Sequence, residues 1–527
     1  MTNLLDAAIN TAFPGWGAKR MMARAQISAL SSFVAASETH RSMMGFNPQP
    51  KSADGDIGSG AKKMRARSRH LYANDALAAG AIDTTLFSAI GSGLKLQPKP
   101  DWERAGIRSE DEANDWKALV QSEFRLWAES TDCDITRTQN LYGLQTLALC
   151  GVLASGDIFP LLTKAERPGP YSLAVQMIEA DLVESPKQIP PKTKIFNGVE
   201  TDAFGAPVAY HVLDSHPSES FLQQKPPRRI EAFSKDGTRR QMLHMFDRKR
   251  PGQTRGIPWF APVMERLKQL GSYTESEMMA AVVNSFLTIF VKTANGQGLA
   301  PIPGQPTPEN SGDNYKLGHG SIIQLLPNQD VVSAGVNRPN PAFDPFVLAI
   351  LRQVGSGLGV PHEVIVKHFT SSYSAARAAL LEAWRFFRNR RAFTADTFCR
   401  PVYEAWMWEA VAAQRIPAPG FFDDPAVRAA YLQSEWIGDS PGQINPMDEA
   451  QAAGERLKIG VSTLEDETMS LTGRVYEDVH EQQKKERDMR KRDGLSVAEP
   501  AQESTRPKPP ADPNAPDRQK EEQDAAA

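Results

Sequence analysis

The sequence predicts an α+β fold, mostly helical, divided into more than one domain. Three observations carry that expectation. Apolar residues recur at helical spacing, as with Phe346, Ile350 and Val354 at i, i+4 and i+8. Residues 156–215, with MLHMFD further on, change to short alternating runs punctuated by Gly, Pro and Asp, the pattern of strands and turns. The length of 527 residues exceeds what one core ordinarily serves.

The elements follow in order. Residues 1–60 are rich in Gly, Ala and Ser and close on the loop-like NPQPKSADGDIGSG, so a partly disordered arm that orders only against a partner is expected. Lys62, Lys63, Arg65, Arg67 and Arg69 then open a helix that Leu71, Asp75, Ala78 and Ile82 continue and that Gly91 and Gly93 end. Such a basic cluster suits nucleic acid, and equally a solvated helix face or a subunit contact. Residues 101–153 read as helical, with Trp116, Phe124 and Trp127 as apolar anchors. GVETDAFGAPVAYHV reads as a hairpin built around Asp202, Gly205 and Pro207.

Pro258 and Pro262 sit where helix starts tolerate proline, and a helix is expected from there to about Lys292, with Gly271 as its weak point. Unbroken, some 30 residues of helix would span about 45 Å. Residues 294–342 are Gly-, Pro- and Asn-rich around one apolar string, SIIQLLP, and read as a small extended excursion between two helices. The helix from Phe343 is loosened by Gly355, Gly357 and Gly359 and stopped by Pro361. A polar and aromatic loop follows to Ser371, with Ser372 as N-cap of the next helix. In that helix Leu380, Trp384 and Phe387 form one stripe with Arg391, and the three apolar residues are its core candidates. Pro401 is expected to break the run before VYEAWMWEAV, and residues 474–493 to form a mixed-charge helix. From Ala498 onward there is no Ile, Leu, Val, Met or aromatic residue, so that tail is expected to be disordered.

The chemistry-bearing patterns are incomplete. His362-Glu363 with His368 lacks the i, i+4 histidines of a zinc helix. Ser59 and Lys62 have the S-x-x-K form without its K-T-G companion. Gly355, Gly357 and Gly359 lie at a helix end, not between a strand and a helix, and no G-x-x-x-x-G-K-[ST] string exists, so no dinucleotide or P-loop site is expected. Glu110-Asp111 and Asp423-Asp424 fall in polar stretches where solvation is the ordinary fate. Cys133, Cys150 and Cys399 show neither a pairing pattern nor metal spacing, which fits a reducing compartment. No catalytic residue, metal or cofactor is expected. The net charge of −3 excludes an ordinary basic nucleic-acid binder. MTNLLDAAINTAFPGWGAKR lacks the form of a secretory signal, and MMAAVVNSFLTIFV is too short to span a bilayer, so a soluble protein with no membrane partner is expected.

Several long strings resemble one family. GVPHEVI followed by SYSAARAALLEAWRFFRNRR and RPVYEAWMWEAV, the opening KKMRARSRHLYANDALAAG, the hairpin GVETDAFGAPVAYHV, HMFDRKRPGQTRGIPWFAPVM, and INPMDEAQAAGERLKIGVSTLEDE are similar, in this order, to the lambda-type portal proteins of tailed bacteriophages. The resemblance runs from Arg65 to Leu495. It implies a portal-type fold with wing, stem, clip, tunnel helix and crown, assembled as a ring, normally a homododecamer, at one capsid vertex. Double-stranded DNA would be packaged through that ring by the terminase motor and later ejected. On this resemblance residues 61–257 are the wing, 258–293 one stem helix, 294–342 the clip, 343–359 the second stem helix and 360–373 the tunnel loop. Residues 374–436 are then tunnel and wing helices, 437–495 a crown-like helical region, and 1–60 and 496–527 the arm and tail. Lys367, His368, Ser371 and Ser372 are the DNA-channel candidates. The implied partners are other copies of the chain, double-stranded DNA, the terminase large subunit, major capsid and scaffolding proteins, and head-completion or connector proteins. The implied location is the virion, after assembly in the host cytoplasm. A head–tail connector or scaffolding protein without a direct DNA role, or a maturation enzyme, is the alternative.

Overall fold

Side-chain caps and turn residues set the ends of the elements in the computed structural model, which describes residues 11, 14–29, 34–36, 40–219, 225–285, 289–292, 322–325, 341–369, 372–442 and 445–495. The chain divides into two units. One takes the chain up to Leu86 and again from Arg125 to Arg415; the other takes Phe87–Phe124 and the chain from Ile416 on. The stretch 61–257 thus contributes to both.

In the first unit, the short helix Ala53–Ile57 is capped by the Ser52 hydroxyl, which accepts from the Gly55 N–H at 3.0 Å. Thr254 donates its N–H (2.8 Å) and its hydroxyl (3.0 Å) to Asp54, and Arg250 pairs with Asp56. This end of the expected arm is therefore held by the chain itself and needs no partner. The basic stretch forms two helices, Ala61–Asn74 and Ala76–Ala89, not one. Asp75 separates them: its backbone is extended (φ −110°, ψ 119°) and its carboxylate caps the second helix by accepting from Ala78 at 2.8 Å.

After the helix Leu141–Ser155 the chain builds two antiparallel sheets. Leu173–Glu179, Asp157–Lys164 and Met245–Phe246 form the first, with Ile158 opposite Glu179 and Asp157 opposite Phe246. Lys194–Phe196, Val199–Thr201, Pro207–Val212 and Arg228–Glu231 form the second, a meander in chain order. Its central hairpin is the one the sequence predicts. The Asp202 carboxylate accepts from Phe204 (2.9 Å) and Ala206 (2.8 Å), and Gly205 takes φ +89°. Phe159, Ile178, Val183, Val199, Tyr210 and Met242 make the core that the two sheets share.

The helix expected over 258–292 is Met264–Ser285, and it passes Gly271 unbroken. Ile289–Lys292 is instead a strand, parallel to Ile322–Leu325 with Ile289 opposite Ile322. The string IFVK is β-branched and aromatic, and that preference prevails over helix continuation. The helix Phe343–Leu358 ends at Gly359 in the left-handed conformation. The expected loop after Pro361 contains a short helix, His362–Val366, because Val364 and Ile365 find buried places (7 % and 5 % exposed). Pro401 does not end the helix before it. Tyr373–Thr394 continues through a π-helical turn, Ala395–Cys399, into Arg400–Ala412. The wider turn absorbs the N–H that proline lacks and the clash of its ring.

In the second unit, Lys95–Pro98 pairs antiparallel with Ser434–Ile437. Trp116 donates to the Pro417 carbonyl at 2.8 Å and packs on Tyr431 at 5.2 Å. Phe124 meets Trp436 edge-on at 6.0 Å. Asp439 accepts from the Ser92 N–H (2.8 Å) and hydroxyl (2.7 Å). The helices Pro446–Lys458 and Leu464–Thr472 are tied by a two-pronged Arg456–Glu467 pair, both contacts at 2.7 Å. That pair holds the Glu467 carboxyl down at about 2. Tyr476–Arg492, the mixed-charge helix, buries none of its residues.

Candidate functional site

Two places in the first unit gather chemistry: a buried ionic centre, and the segment after Gly359. The ionic centre is assembled by backbone contact. A Cβ on Gly256 would lie 1.9 Å from the Gly156 carbonyl oxygen, so only glycine lets these two strands of chain touch. That contact sets Arg255 against Asp157. Both side chains are 0 % exposed. Arg255 Nε donates to Asp157 Oδ2 at 2.5 Å and Nη2 to Oδ1 at 3.2 Å. Its other N–H bonds reach the carbonyls of Val183 (3.0 Å), Ala180 (2.8 Å) and Asn197. Gly256 N–H adds a bond to Asp157 at 3.0 Å.

Around this pair stand Arg65, His244, Asp181 and Arg69. Arg65 Nη1 lies 3.7 Å from Asp157, and its Nε donates to Asp181 at 2.8 Å. Arg69 also pairs with Asp181, and lies 3.4 Å from Glu179. His244 is stacked between Phe159 (4.2 Å) and Phe246 (4.3 Å), with Nε2 3.4 Å from Asp157. Burial alone would raise the Asp157 carboxyl; Arg255, helped by His244, outweighs it and holds the group well below the usual carboxylate range. Burial lowers His244, against the pull of Asp157, so the imidazole is kept neutral. Burial and then Arg255 push Arg65 down to about 10. A carboxylate saturated by cations neither accepts nor releases a proton near neutrality, so the centre is a clamp. It joins the Ala61–Asn74 helix, the three-stranded sheet and the 247–257 segment.

This is the fate of the basic cluster. Arg65 and Arg69 turn inward to Asp181, and Lys62 reaches Glu184 at 2.6 Å. Sequence reading did not single out Asp157, Arg255 or His244. The available signal was a lone acid opening an apolar strand, GDIFPLL, and an arginine set directly before a glycine in QTRGIPW.

The second place is a tight turn. Val360 N–H donates to the Gly355 carbonyl at 3.0 Å, and a Cβ on Gly355 would lie 2.7 Å from the Val360 oxygen. Trp259 latches the turn to the body by donating to the Leu358 carbonyl at 3.1 Å and stacking on Phe386 at 5.7 Å. Arg390 lies 5.2 Å over Phe386 and pairs with Asp247 at 2.6 Å. Lys367 caps the short helix in the left-handed conformation (φ 56°), and Val366, Lys367, His368 and Phe369 are all exposed. Ser372 stands at the N-cap of the next helix, as expected, but its side chain makes no capping bond. Ser371 lies outside the described residues.

Of the three core candidates beyond the turn, Phe387 is buried, Trp384 is half-buried under Arg391 at 5.6 Å, and Leu380 is 37 % exposed. Within one chain the stripe is thus not a continuous core. Over the first turns most side chains are exposed, with Ala376 and Ala379 half-buried, and the first buried residue of the helix is Ala383. Exposed apolar residues also line the two helices that precede the turn: Met278 (68 %), Met279 (63 %) and Val282 (50 %) on Met264–Ser285, and Phe346 (49 %) on Phe343–Leu358.

Among the described residues, no group of three or more His, Cys, Asp or Glu side chains could hold a metal, and no helix is long and apolar enough to cross a membrane. His362 pairs with Glu363 at 2.9 Å, away from any third ligand in that set. The clip stretch 294–342 lies outside the described residues except for 322–325 and 341–342, and the tail 496–527 lies wholly outside them.

A polar centre committed to internal pairing, beside helices whose apolar flanks stay bare, defines a protein built to associate. The chain belongs to the lambda family of phage portal proteins, whose sequence profile matches residues 39–391. It is 25% identical over 477 residues to portal protein B of Escherichia phage lambda, a match that covers 85% of this chain and 88% of that protein. It is also 25% identical over 481 residues to the portal protein of Escherichia phage N15, covering 86% and 89%. A probable portal protein of Halomonas phage phiHAP-1 is 23% identical over 384 residues, 70% of each chain. Among solved structures, a chain from the neck of an empty gene transfer agent particle is similar at TM-score 0.42 and 14% identity, covering 78% of this chain and 94% of that one. The chain is a structural component of the phage virion, and packaging of the phage genome is the role of its family.

Proposed function

We propose that the chain closes into a ring, normally of twelve copies, at one capsid vertex, and that double-stranded DNA enters and leaves through its bore. The bare flanks of the three helices around the Gly355–Ser372 turn carry this reading. Met279, Val282, Phe346 and Leu381 (56 % exposed) are large apolar side chains open to water on these helices, and exposed apolar surface of this kind marks a place of association. A head-to-tail contact that closes on itself covers every such flank with a neighbour's. In this ring Met264–Ser285 and Phe343–Leu358 are the stem helices. Residues 294–342 are the clip, on which the terminase large subunit docks. Residues 360–373 are the tunnel loop, and 437–495 the crown. Capsid, scaffolding and head-completion proteins meet the outside of the ring, which assembles in the host cytoplasm.

Lys367, His368, Ser371 and Ser372 face the bore and touch DNA loosely. Each phosphate neutralised adds about 0.9 to the salt slope of binding, so one lysine per subunit permits sliding where a cluster of arginines would grip. The direct test is a Ser371→Cys variant labelled with a thiol reagent in empty and in filled particles. Protection by packaged DNA is the expected result; equal labelling in both would remove the loop from the bore. Deletion of 296–312 is expected to leave rings intact and abolish terminase binding. Loss of rings instead would make that stretch an intersubunit element.

A further inference from the structure

One cavity in the first unit is used by nothing described so far. It opens on the four-stranded sheet, has a volume of about 200 Å³, and reaches down to His244 beside the ionic centre. Its floor is apolar: Val199, Tyr210, Ala232 and Met242 are each at most 3 % exposed. Two exposed arginines stand in its wall. Arg240 follows the 233–239 turn and lies 5.7 Å over Phe233; Arg248 follows the Met245–Phe246 strand and lies 5.7 Å over Phe246. No Asp or Glu lines the cavity. The carboxylates bonded to lining residues are committed within the chain: Asp157 to His244 and Arg255, Asp54 to Thr254.

We infer that this cavity is a recognition pocket for one acidic side chain of a partner protein, taken as part of an acidic peptide segment. The size selects the occupant first. Drug-sized ligands fill pockets of about 300–1,000 Å³, so this one holds roughly a single side chain. The chemistry selects it next. Two guanidiniums, parked over aromatic rings and free of carboxylates in the lining, favour an anion with planar oxygens. The buried apolar floor favours a methylene stem below the charge, which glutamate has and a DNA phosphate lacks.

The test uses the full-length protein and a fluorescein-labelled hexaglutamate peptide, with hexaglutamine and a short DNA duplex as comparisons, read by fluorescence anisotropy. Hexaglutamate is expected to bind and hexaglutamine not to. Arg240→Ala with Arg248→Ala, both exposed positions that leave the fold intact, is expected to weaken hexaglutamate by about tenfold or more, the loss of charge-assisted bonds. Thr201→Trp fills the pocket without changing charge and is expected to weaken it as well; Lys235→Ala, outside the lining, is not. Failure of hexaglutamate to bind overturns the inference. So does a Thr201→Trp variant that folds and binds normally, which would reduce the effect to surface charge. A duplex that binds through the two arginines in place of the peptide also overturns it. None of these outcomes depends on ring formation.

Discussion

The ionic centre around Asp157 and the helices around the Gly355–Ser372 turn solve opposite problems with the same few residue types. At the centre, arginines are buried and every strong donor of Arg255 has a partner within the chain. On the helices Met279, Val282, Phe346 and Leu381 face water, and in Tyr373–Thr394 the exposed Arg385 pairs with Glu382, at 3.2 Å, on its own helix. The first arrangement makes one chain stable by itself. In the proposed ring, the second gains its cover only from another copy.

The comparison breaks most sharply at Asp157. Asp157→Asn leaves Arg255 and Arg65 buried without their counter-charge, and is expected to cost about 3–5 kcal/mol of unfolding free energy, read as a lower urea midpoint. A loss under about 1 kcal/mol would mean water already reaches the pair. Acid attacks the same centre. His244 and Asp157 both titrate below their unfolded values when folded, so the unfolded chain binds more protons. Their contribution is present at neutral pH. It declines as pH falls below the ordinary histidine range, and again below the ordinary carboxylate range. Unfolding midpoints measured from pH 7 to pH 3 are expected to fall in that sense, and His244→Gln to remove the upper step. A flat profile would place His244 in water.

A smaller effect belongs to Glu409. It accepts from the N–H bonds of Ser172 (2.5 Å) and Leu173 (2.9 Å) and from the Ser172 hydroxyl (2.9 Å), and so ties the Arg400–Ala412 helix to the sheet. Glu409→Ala is expected to cost about 2 kcal/mol by the same urea measurement, because two backbone donors lose their charged acceptor. The bare flank gives the smallest change in stability. Met279→Glu with Val282→Glu is expected to shift the unfolding free energy of the single chain by less than about 0.5 kcal/mol and to abolish assembly. Destabilisation of the isolated chain as large as that of Asp157→Asn would show that the flank is packed internally.

What could be read in the sequence follows from range. The hairpin at Asp202–Gly205, the helix Phe343–Leu358 and the mixed-charge helix Tyr476–Arg492 rest on residues a few positions apart, and their patterns are local. The family likeness was carried by long ordered strings such as HMFDRKRPGQTRGIPWFAPVM. The ionic centre joins Arg65 to Asp181 and Arg255 to Asp157, partners 116 and 98 residues apart, and nothing local to Arg65 says that it turns inward. The change from helix to strand at Ile289–Lys292 and the π-helical turn before Pro401 were likewise decided by competing preferences that periodicity does not rank. Leu380 and Trp384 lie on an apolar stripe, but a stripe does not say whether its cover belongs to the same chain.

That last point is the claim on which the account depends: the flanks of Met264–Ser285, Phe343–Leu358 and the start of Tyr373–Thr394 are covered by a second copy of the chain. Mass photometry of the purified protein, beside the Met279→Glu, Val282→Glu variant, measures it directly. A closed species near twelve times the 58.0 kDa chain mass is expected for the native sequence, and single chains for the variant. A native protein that stays at the single-chain mass, or a variant that forms the same closed species, would contradict it.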